Sequence, residues 1–258
     1  MGTVSDQPLS RSLAAELREK ILSEEPGWAP GDKLPTEPEL VAAHGVSRST
    51  VRAALGFLTA EGLVSTGKPR HGRVVRKSRV LTFQAMTGEK VSGRVTAAGD
   101  GWVTDCSSQG MAGTMKIHVE MVEATEALAA ALRVKEGDTV VARRRVRYLN
   151  GQPHNQSDSY YTMSLAQAVP QVFNPADVPQ GVIALMAKAG YVQTVYDDAL
   201  TARMPTPGEA AALVIPQGVP VIVQTRTGYT EGREQVVRVT VTIWPGDRSR
   251  IEYPEIPA

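Results

Sequence analysis

The sequence predicts an α+β protein in two parts. Apolar residues repeat at helical spacing near the N-terminus, and from about residue 116 they alternate as strands do. Turn signals such as Asn150-Gly151 and Glu231-Gly232 then fold those strands into hairpins, which makes the sheet antiparallel. The 258 residues suffice for two domains, and 42% hydrophobic against 21% charged residues permits buried cores and argues against disorder. With Cys106 as the single cysteine no internal disulfide can form, which predicts a reducing, cytoplasmic setting. The opening MGTVSDQPLS has no basic segment followed by an apolar core, so no signal peptide is expected. No apolar run approaches the roughly 18 residues of a membrane helix, so no membrane partner is expected either.

The first elements follow from local chemistry. Leu13, Ala14, Leu17, Ile21 and Leu22 define one amphipathic helix, which Pro26, Gly27, Pro30 and Gly31 end. Thr36 followed by Glu39 is a capping box, so a second helix begins there. Pro38 falls in its first turn, where no intrahelical donor is needed. That helix closes at His44-Gly45, glycine being suited to a left-handed C-terminal position. Only Val46 separates Gly45 from Ser47, the N-cap of a third helix running to Ala60. Val51, Ala54, Leu55 and Leu58 form its buried stripe, and Arg48, Ser49, Thr50 and Arg52 lie on the opposite face. Gly62 ends the helix, and Leu63-Val64-Ser65 with Arg73-Val74-Val75 read as two short strands around a basic tip.

Helix, tight glycine turn, helix with a basic and hydroxyl-rich N-terminus, then a basic hairpin, is the pattern of a winged helix-turn-helix. Its charge agrees. The whole chain carries +1, but residues 47–79 carry +7, between −4 over residues 1–46 and −2 over residues 80–258. Such a block is the electrostatic footprint of a phosphate-facing surface. Arginine reaches guanine O6 and N7 in a bidentate manner, serine and threonine hydroxyls bond phosphates or base edges, and a helix N-terminus offers amides to phosphate. The DNA-binding candidates are therefore Ser47, Arg48, Ser49, Thr50 and Arg52 on the third helix, with Lys68, Arg70, His71, Gly72 and Arg73 on the hairpin. A surface ion pair is the alternative role for Arg48 and Arg52. Thr36 and Glu39 read as caps, and Trp28, between breakers, as a packing residue.

Residues 9–76 resemble the winged-helix domain of the GntR family of bacterial transcriptional regulators. The run PGDKLPTEPELVAAHGVSRSTVRAALGFLTAEGLV carries the likeness, with P-G-D-x-L-P-[ST]-E, G-V-S-R-x-T-V-R and L-x-x-E-G-L in ungapped register. The resemblance implies that Ser47, Arg48, Ser49, Thr50, Arg52, His71 and Gly72 stand at DNA-contacting positions. Pro38 stands where family members often carry a polar or basic residue.

Residues 77–116 show weaker patterning. Val80 to Phe83 suggests a strand, and the glycine-rich stretch after it suggests a linker leading into a mobile loop region, with Cys106 and His118 isolated. No metal-ligand spacing joins His44, His71, His118, His154 and Cys106, so no metal and no cofactor is expected. Beyond this the reading gives a strand at Lys116–Val122, a helix at Glu126–Leu132, and a strand at Thr139–Tyr148 hairpinned to His154–Tyr161. It continues with a helix at Pro179–Lys188, a strand at Tyr191–Met204, a helix at Pro207–Val214, and a hairpin of Val221–Tyr229 with Val236–Trp244.

This second part resembles the UTRA effector-binding domain of the HutC/FarR branch of the same family. The residues concerned are GDTVVARRRVRYLNGQPHNQSDSYY, the run A-A-x-L-x-I-P-Q-G-x-P-V at 211–221, and W-P-G-D-R at 244–248. The resemblance implies a chorismate-lyase-like antiparallel-sheet fold and a small-molecule site between the sheet and overlying loops. It also implies that the ligand alters the spacing or mobility of the DNA-binding heads. The domains are read as a winged helix-turn-helix at 1–77, a linker at 78–92, and an effector-binding and dimerisation domain at 93–258.

Strand alternation places Val141, Arg143, Arg145 and Arg147 on one face. Arg145 and Arg147 match family positions that often reach the effector. Ser157 and Arg238 stand where many members have glutamate, and Ser159 and Tyr161 share the face of Ser157. The effector-binding candidates are thus Arg143, Arg145, Arg147, Ser157, Ser159, Tyr161 and Arg238. Either these arginines meet an anionic, acceptor-rich effector, or they pair with Asp158, Glu234 or other acids. No nucleophile elbow, paired catalytic carboxylates, P-loop or dinucleotide fingerprint marks an enzyme. The sequence thus predicts a ligand-responsive repressor, binding palindromic operator DNA as a homodimer. A regulator whose second domain only dimerises and a chorismate-lyase-like enzyme are the rival readings.

Overall fold

A computed structural model of the chain describes residues 8–65, 73–76, 80–85, 101–176, 178 and 181–253. The chain forms two compact units. The first comprises Met1–Arg79 with Met204–Thr206 and Ile215–Val219, and the second comprises the remainder.

In the first unit, α1 (Leu9–Leu22) begins after Pro8 without a side-chain cap, and α2 (Glu37–His44) and α3 (Arg48–Ala60) occur where capping chemistry puts them. The Thr36 hydroxyl accepts from the Glu39 amide while the Glu39 carboxylate accepts from the Thr36 amide at 2.7 Å, completing the box. Gly45 takes φ 63°, the left-handed conformation that ends α2. Ser47 Oγ accepts from the Thr50 amide at 3.1 Å and starts α3. The core joins Leu13, Leu17 and Ile21 of α1 to Leu40, Val51, Leu55 and Leu58, and closes on Leu34, Val64 and Val75. Trp28 packs at its edge, as its position between breakers predicts. Val64 bridges Val75, and Lys33 bridges Val74, so the segment before α2 adds a third short strand to the base of the hairpin. The hairpin tip, with Lys68, Arg70, His71 and Gly72, lies outside the described residues.

The second unit holds β1 (Leu81–Gln84), α4 (Gly101–Ser108), β2 (Gly113–Glu123), α5 (Glu126–Leu132), β3 (Thr139–Leu149), β4 (Gln152–Thr162) and α6 (Met163–Ala168). A short 3-10 turn, α7 (Val182–Lys188), β5 (Val195–Arg203), α8 (Pro207–Ala212), β6 (Val221–Tyr229), β7 (Val236–Pro245) and β8 (Ser249–Glu252) follow. Six strands form one sheet in the order β2-β3-β4-β7-β6-β5, every neighbouring ladder antiparallel. Helices α6 and α7 cover one face over Val141, Tyr161 and Val237, and α5 covers the other over Val140, Val236 and Val239. β1 pairs with β8 in a separate parallel two-stranded ribbon.

One stretch departs from the sequence reading. The span read as an approach to a mobile loop contains α4, and Cys106, read as isolated, is buried with Trp102, Leu81 and Leu149. Glycine content lowers helix propensity, but burial of Trp102 and Cys106 outweighs it. Gly113 belongs to this packing, since a Cβ there would come within 2.9 Å of the Cys106 Cβ. The strand suggested at Val80–Phe83 is present as β1 at Leu81–Gln84, inside the segment read as linker.

Candidate nucleic-acid interface and ligand-binding face

The exposed start of α3 carries the first site. Ser47 Oγ lies 2.8 Å from both Ser49 Oγ and Thr50 Oγ1, so one hydroxyl cluster caps the helix and remains at the surface. Arg48 is exposed and makes no ion pair among the described residues. Arg52 donates from Nε to Glu37 at 2.8 Å, and Arg73 approaches the other Glu37 oxygen at 3.5 Å. Glu37 thereby ties α2, α3 and the hairpin base together, a role with no local sequence signal because its partners are 15 and 36 residues away. The Arg52 hydrogen bond holds the Glu37 carboxyl below the ordinary range. The Arg52 side chain is still 62% exposed, so phosphate can compete for it. Arg18 and Glu61 make a second clamp, at 2.7 and 2.5 Å, between α1 and the end of α3.

The second site is a sheet face. Register sets Arg143 beside Ser159, Arg145 beside Ser157 and Arg147 beside Asn155, and sets Ser159 and Ser157 beside Thr240 and Thr242. The predicted effector residues Arg143, Arg145, Arg147, Ser157, Ser159 and Tyr161 therefore share one face, with Arg238 buried on β7. Their environments differ. Arg143 donates to the backbone carbonyls of Asn174 and Ala176, so it fastens the loop after α6. Arg147 lies over the Trp102 ring at 5.5 Å. Arg145 is 7% exposed, donates to Ser159 Oγ at 3.1 Å, and keeps a buried Nε with no protein partner. Ser159 and Ser157 in turn bond Thr240 and Thr242 at 3.0 and 3.1 Å.

Asp158 is engaged on the other side of the sheet. Asp158, one proposed partner of the arginine face, accepts from Arg144 at 2.7 Å on the opposite face, where Glu120 also accepts from Arg144 at 2.5 Å. Burial raises the Asp158 carboxyl above its usual value against the pull of Arg144. Sequence reasoning missed Arg226, which makes a buried bidentate pair with Asp198 at 2.8 and 2.5 Å, supported by the Tyr253 hydroxyl at 2.9 Å. Alternation along β6 was available as a signal, but Asp198 sits 28 residues away. Among the described residues no three His, Cys, Asp or Glu cluster as metal ligands, and no helix is long and apolar enough to cross a membrane.

A capped helix-turn-helix with a basic reading helix, joined in one chain to a sheet with buried arginines, defines a DNA-binding regulator with a sensing domain. Residues 9–75 match the bacterial regulatory proteins of the gntR family, and residues 108–250 match the UTRA domain. The chain belongs to the GntR family, in the part that carries a UTRA domain. It is 30% identical to the HTH-type transcriptional regulator SCO4628 of Streptomyces coelicolor, over 95% of this chain and 92% of that one. It is 27% identical to the histidine utilization repressor of Pseudomonas putida, over 93% and 90% of the two chains. A crystal structure of a GntR-family transcriptional regulator superposes with TM-score 0.65 at 26% identity, covering 98% of this chain and 99% of that one. PhnF from Mycobacterium smegmatis shares the fold, with TM-score 0.58 at 21% identity over 95% and 100% of the chains.

Proposed function

We propose that the chain is a ligand-responsive repressor that binds a palindromic operator as a homodimer, and that an anionic small molecule releases it. Residues 1–77 would be the reading head, 78–92 the linker and 93–258 the effector-binding and dimerising part. Ser47, Arg48, Ser49, Thr50 and Arg52 would contact DNA from α3, with Lys68, Arg70, His71, Gly72 and Arg73 contacting it from the hairpin. Two recognition helices would enter major grooves about one helical turn apart. The relatives named as repressors support the direction of control.

The observation that carries the anionic effector is Arg145. A guanidinium does not deprotonate, and leaving it buried beside neutral hydroxyls is unfavourable unless an acceptor-rich group completes its shell. Arg145 would seat the anion, with Ser157, Ser159, Tyr161, Arg147 and Arg238 around it, while Arg143 holds the 174–176 loop in place. The chain would work in the cytoplasm and catalyse no reaction. A binding assay on DNA upstream of its own gene tests the proposal. Protection of a two-fold symmetric site that a carboxylate or phosphate weakens supports it. Affinity indifferent to every small molecule favours a second domain that only dimerises.

A further inference from the structure

The W-P-G-D-R run at 244–248 has no task in the reading above, yet its last residue makes bonds in three directions. The Arg248 carbonyl accepts the Leu81 amide that opens β1 at 3.0 Å, and it stands 3.1 Å from His154 Nε2. The Arg248 guanidinium donates to the Leu213 carbonyl, just past α8, at 2.6 Å. Leu81 comes two residues after Arg79, where the first unit's main segment ends, and Leu213 comes two residues before Ile215, where the chain re-enters that unit. One residue is thus bonded beside two of the points at which the backbone passes from unit to unit.

His154 reaches this carbonyl because of a register slip. Arg147 pairs with Asn155 but Tyr148 pairs with Pro153, which leaves His154 as the extra residue of a β-bulge. A bulge re-aims a side chain that strict alternation would point elsewhere. The imidazole is 2% exposed and lies 5.4 Å from the Trp102 ring, and burial keeps it neutral with a pKa of about 4. With Nε2–H given to the carbonyl, Nδ1 is the acceptor, 3.4 Å from Asn155 Nδ2. Asn155 Oδ1 is then a fully buried acceptor with no protein partner, on the face that carries Arg145 and Arg147. Arg147 contacts the same histidine indirectly, through Trp102. Further contacts hold β1 beyond its first amide. Gln109 brackets Thr82 with bonds of 3.2 and 2.9 Å, and Phe83 packs on Trp244 at 4.9 Å.

We propose that Arg248 is the output junction of the sensing domain. A ligand touching Arg147 and Asn155 displaces His154 from the Arg248 carbonyl, and Arg248 passes that change through its carbonyl to β1 and through its guanidinium to Leu213, just past α8. The proposal rests on the reading of the arginine face as the ligand site, and it makes His154 a positioning residue. A carbonyl oxygen has two lone pairs and takes both donors, so displacing the imidazole alters the same oxygen that holds the Leu81 amide.

Amide hydrogen exchange on the full chain tests this without any ligand. Arg147→Met disturbs the input. It is expected to speed exchange about 5-fold or more in both 80–85 and 207–213 while leaving β5 unchanged. In a His154→Phe background the same substitution should add nothing, and His154→Gln, which keeps a donor for the carbonyl, should restore the response. Wild-type exchange in Arg147→Met, an equal effect in the His154→Phe background, or equal loosening of β5 would each overturn the proposal. The anionic-effector reading fails separately, if no carboxylate or phosphate stabilises the wild-type chain more than Arg145→Met.

Discussion

The two units use arginine in opposite ways. On α3, Arg48 is exposed and Arg52 is mostly so despite its bond to Glu37, so folding leaves much of their hydration in place and a phosphate can exchange for solvent later. In the sheet, Arg143, Arg145, Arg226 and Arg238 lose that water on folding, and each needs acceptors at once. Arg143 has two carbonyls and Arg226 has a bidentate carboxylate, whereas Arg145 has one hydroxyl. The difference separates a surface whose cations stay largely solvated from a face whose cations depend on acceptors supplied by the fold, where Arg145 holds a single hydroxyl and keeps a buried Nε without a hydrogen bond.

The largest expected effects set the buried arginines against each other. Arg226→Met leaves Asp198 buried without its cation and should cost about 3–5 kcal/mol in urea unfolding. Arg145→Met removes a buried charge that makes no ion pair within 4 Å among the described residues, so the ligand-free chain should gain stability, by about 1–4 kcal/mol. A loss in Arg145→Met as large as in Arg226→Met would erase the distinction. His154 supplies the next effect. Its pKa falls from 6.5 when unfolded to about 4 when folded. The unfolded chain therefore binds more protons between those values. Stability is full above pH 6.5 and declines as the pH drops toward 4, by about 3 kcal/mol in total. In His154→Gln the histidine share of this slope should be absent, most visibly just below pH 6.5, leaving only the loss at lower pH from carboxylates such as Glu37 and Asp198, which unfolding curves at several pH values will read.

Smaller effects belong to the exposed unit. Arg48→Ala should weaken operator binding by about 1–3 kcal/mol and blur base preference, as measured by titration against operator and scrambled DNA. An equal loss on both sequences would make Arg48 a phosphate contact only. Ser47→Ala removes the α3 cap and should cost about 1 kcal/mol of thermal stability. That value compares one hydroxyl at a helix end with the several kcal/mol at stake in the sheet.

The same contrast explains what the sequence made legible. Thr36, Gly45 and Ser47 act within four residues of themselves, so α2 and α3 were readable to their ends. Alternation placed Arg143, Arg145 and Arg147 on a common face, and β6 runs from Val221 to Tyr229 as read. Helix α4 was missed because its stability comes from burying Trp102 and Cys106 against distant Leu81 and Leu149. The four residues of β8 carry too little periodicity to declare a strand and α6 has only six residues, whereas β1 falls within one residue of the strand read at Val80–Phe83. The Glu37, Asp198 and Arg248 partnerships join residues remote in sequence, and the bulge at His154 breaks the alternation on which the strand reading relied.

The central claim is that DNA affinity is set by occupancy of the Arg145 face. Fluorescence anisotropy on the operator, titrated with a panel of carboxylates and phosphates, tests it for wild type and Arg145→Met side by side. At least one anion should lower wild-type affinity about 5- to 150-fold and leave Arg145→Met unaffected. Wild-type affinity unmoved by every anion, or an equal response in Arg145→Met, would contradict it.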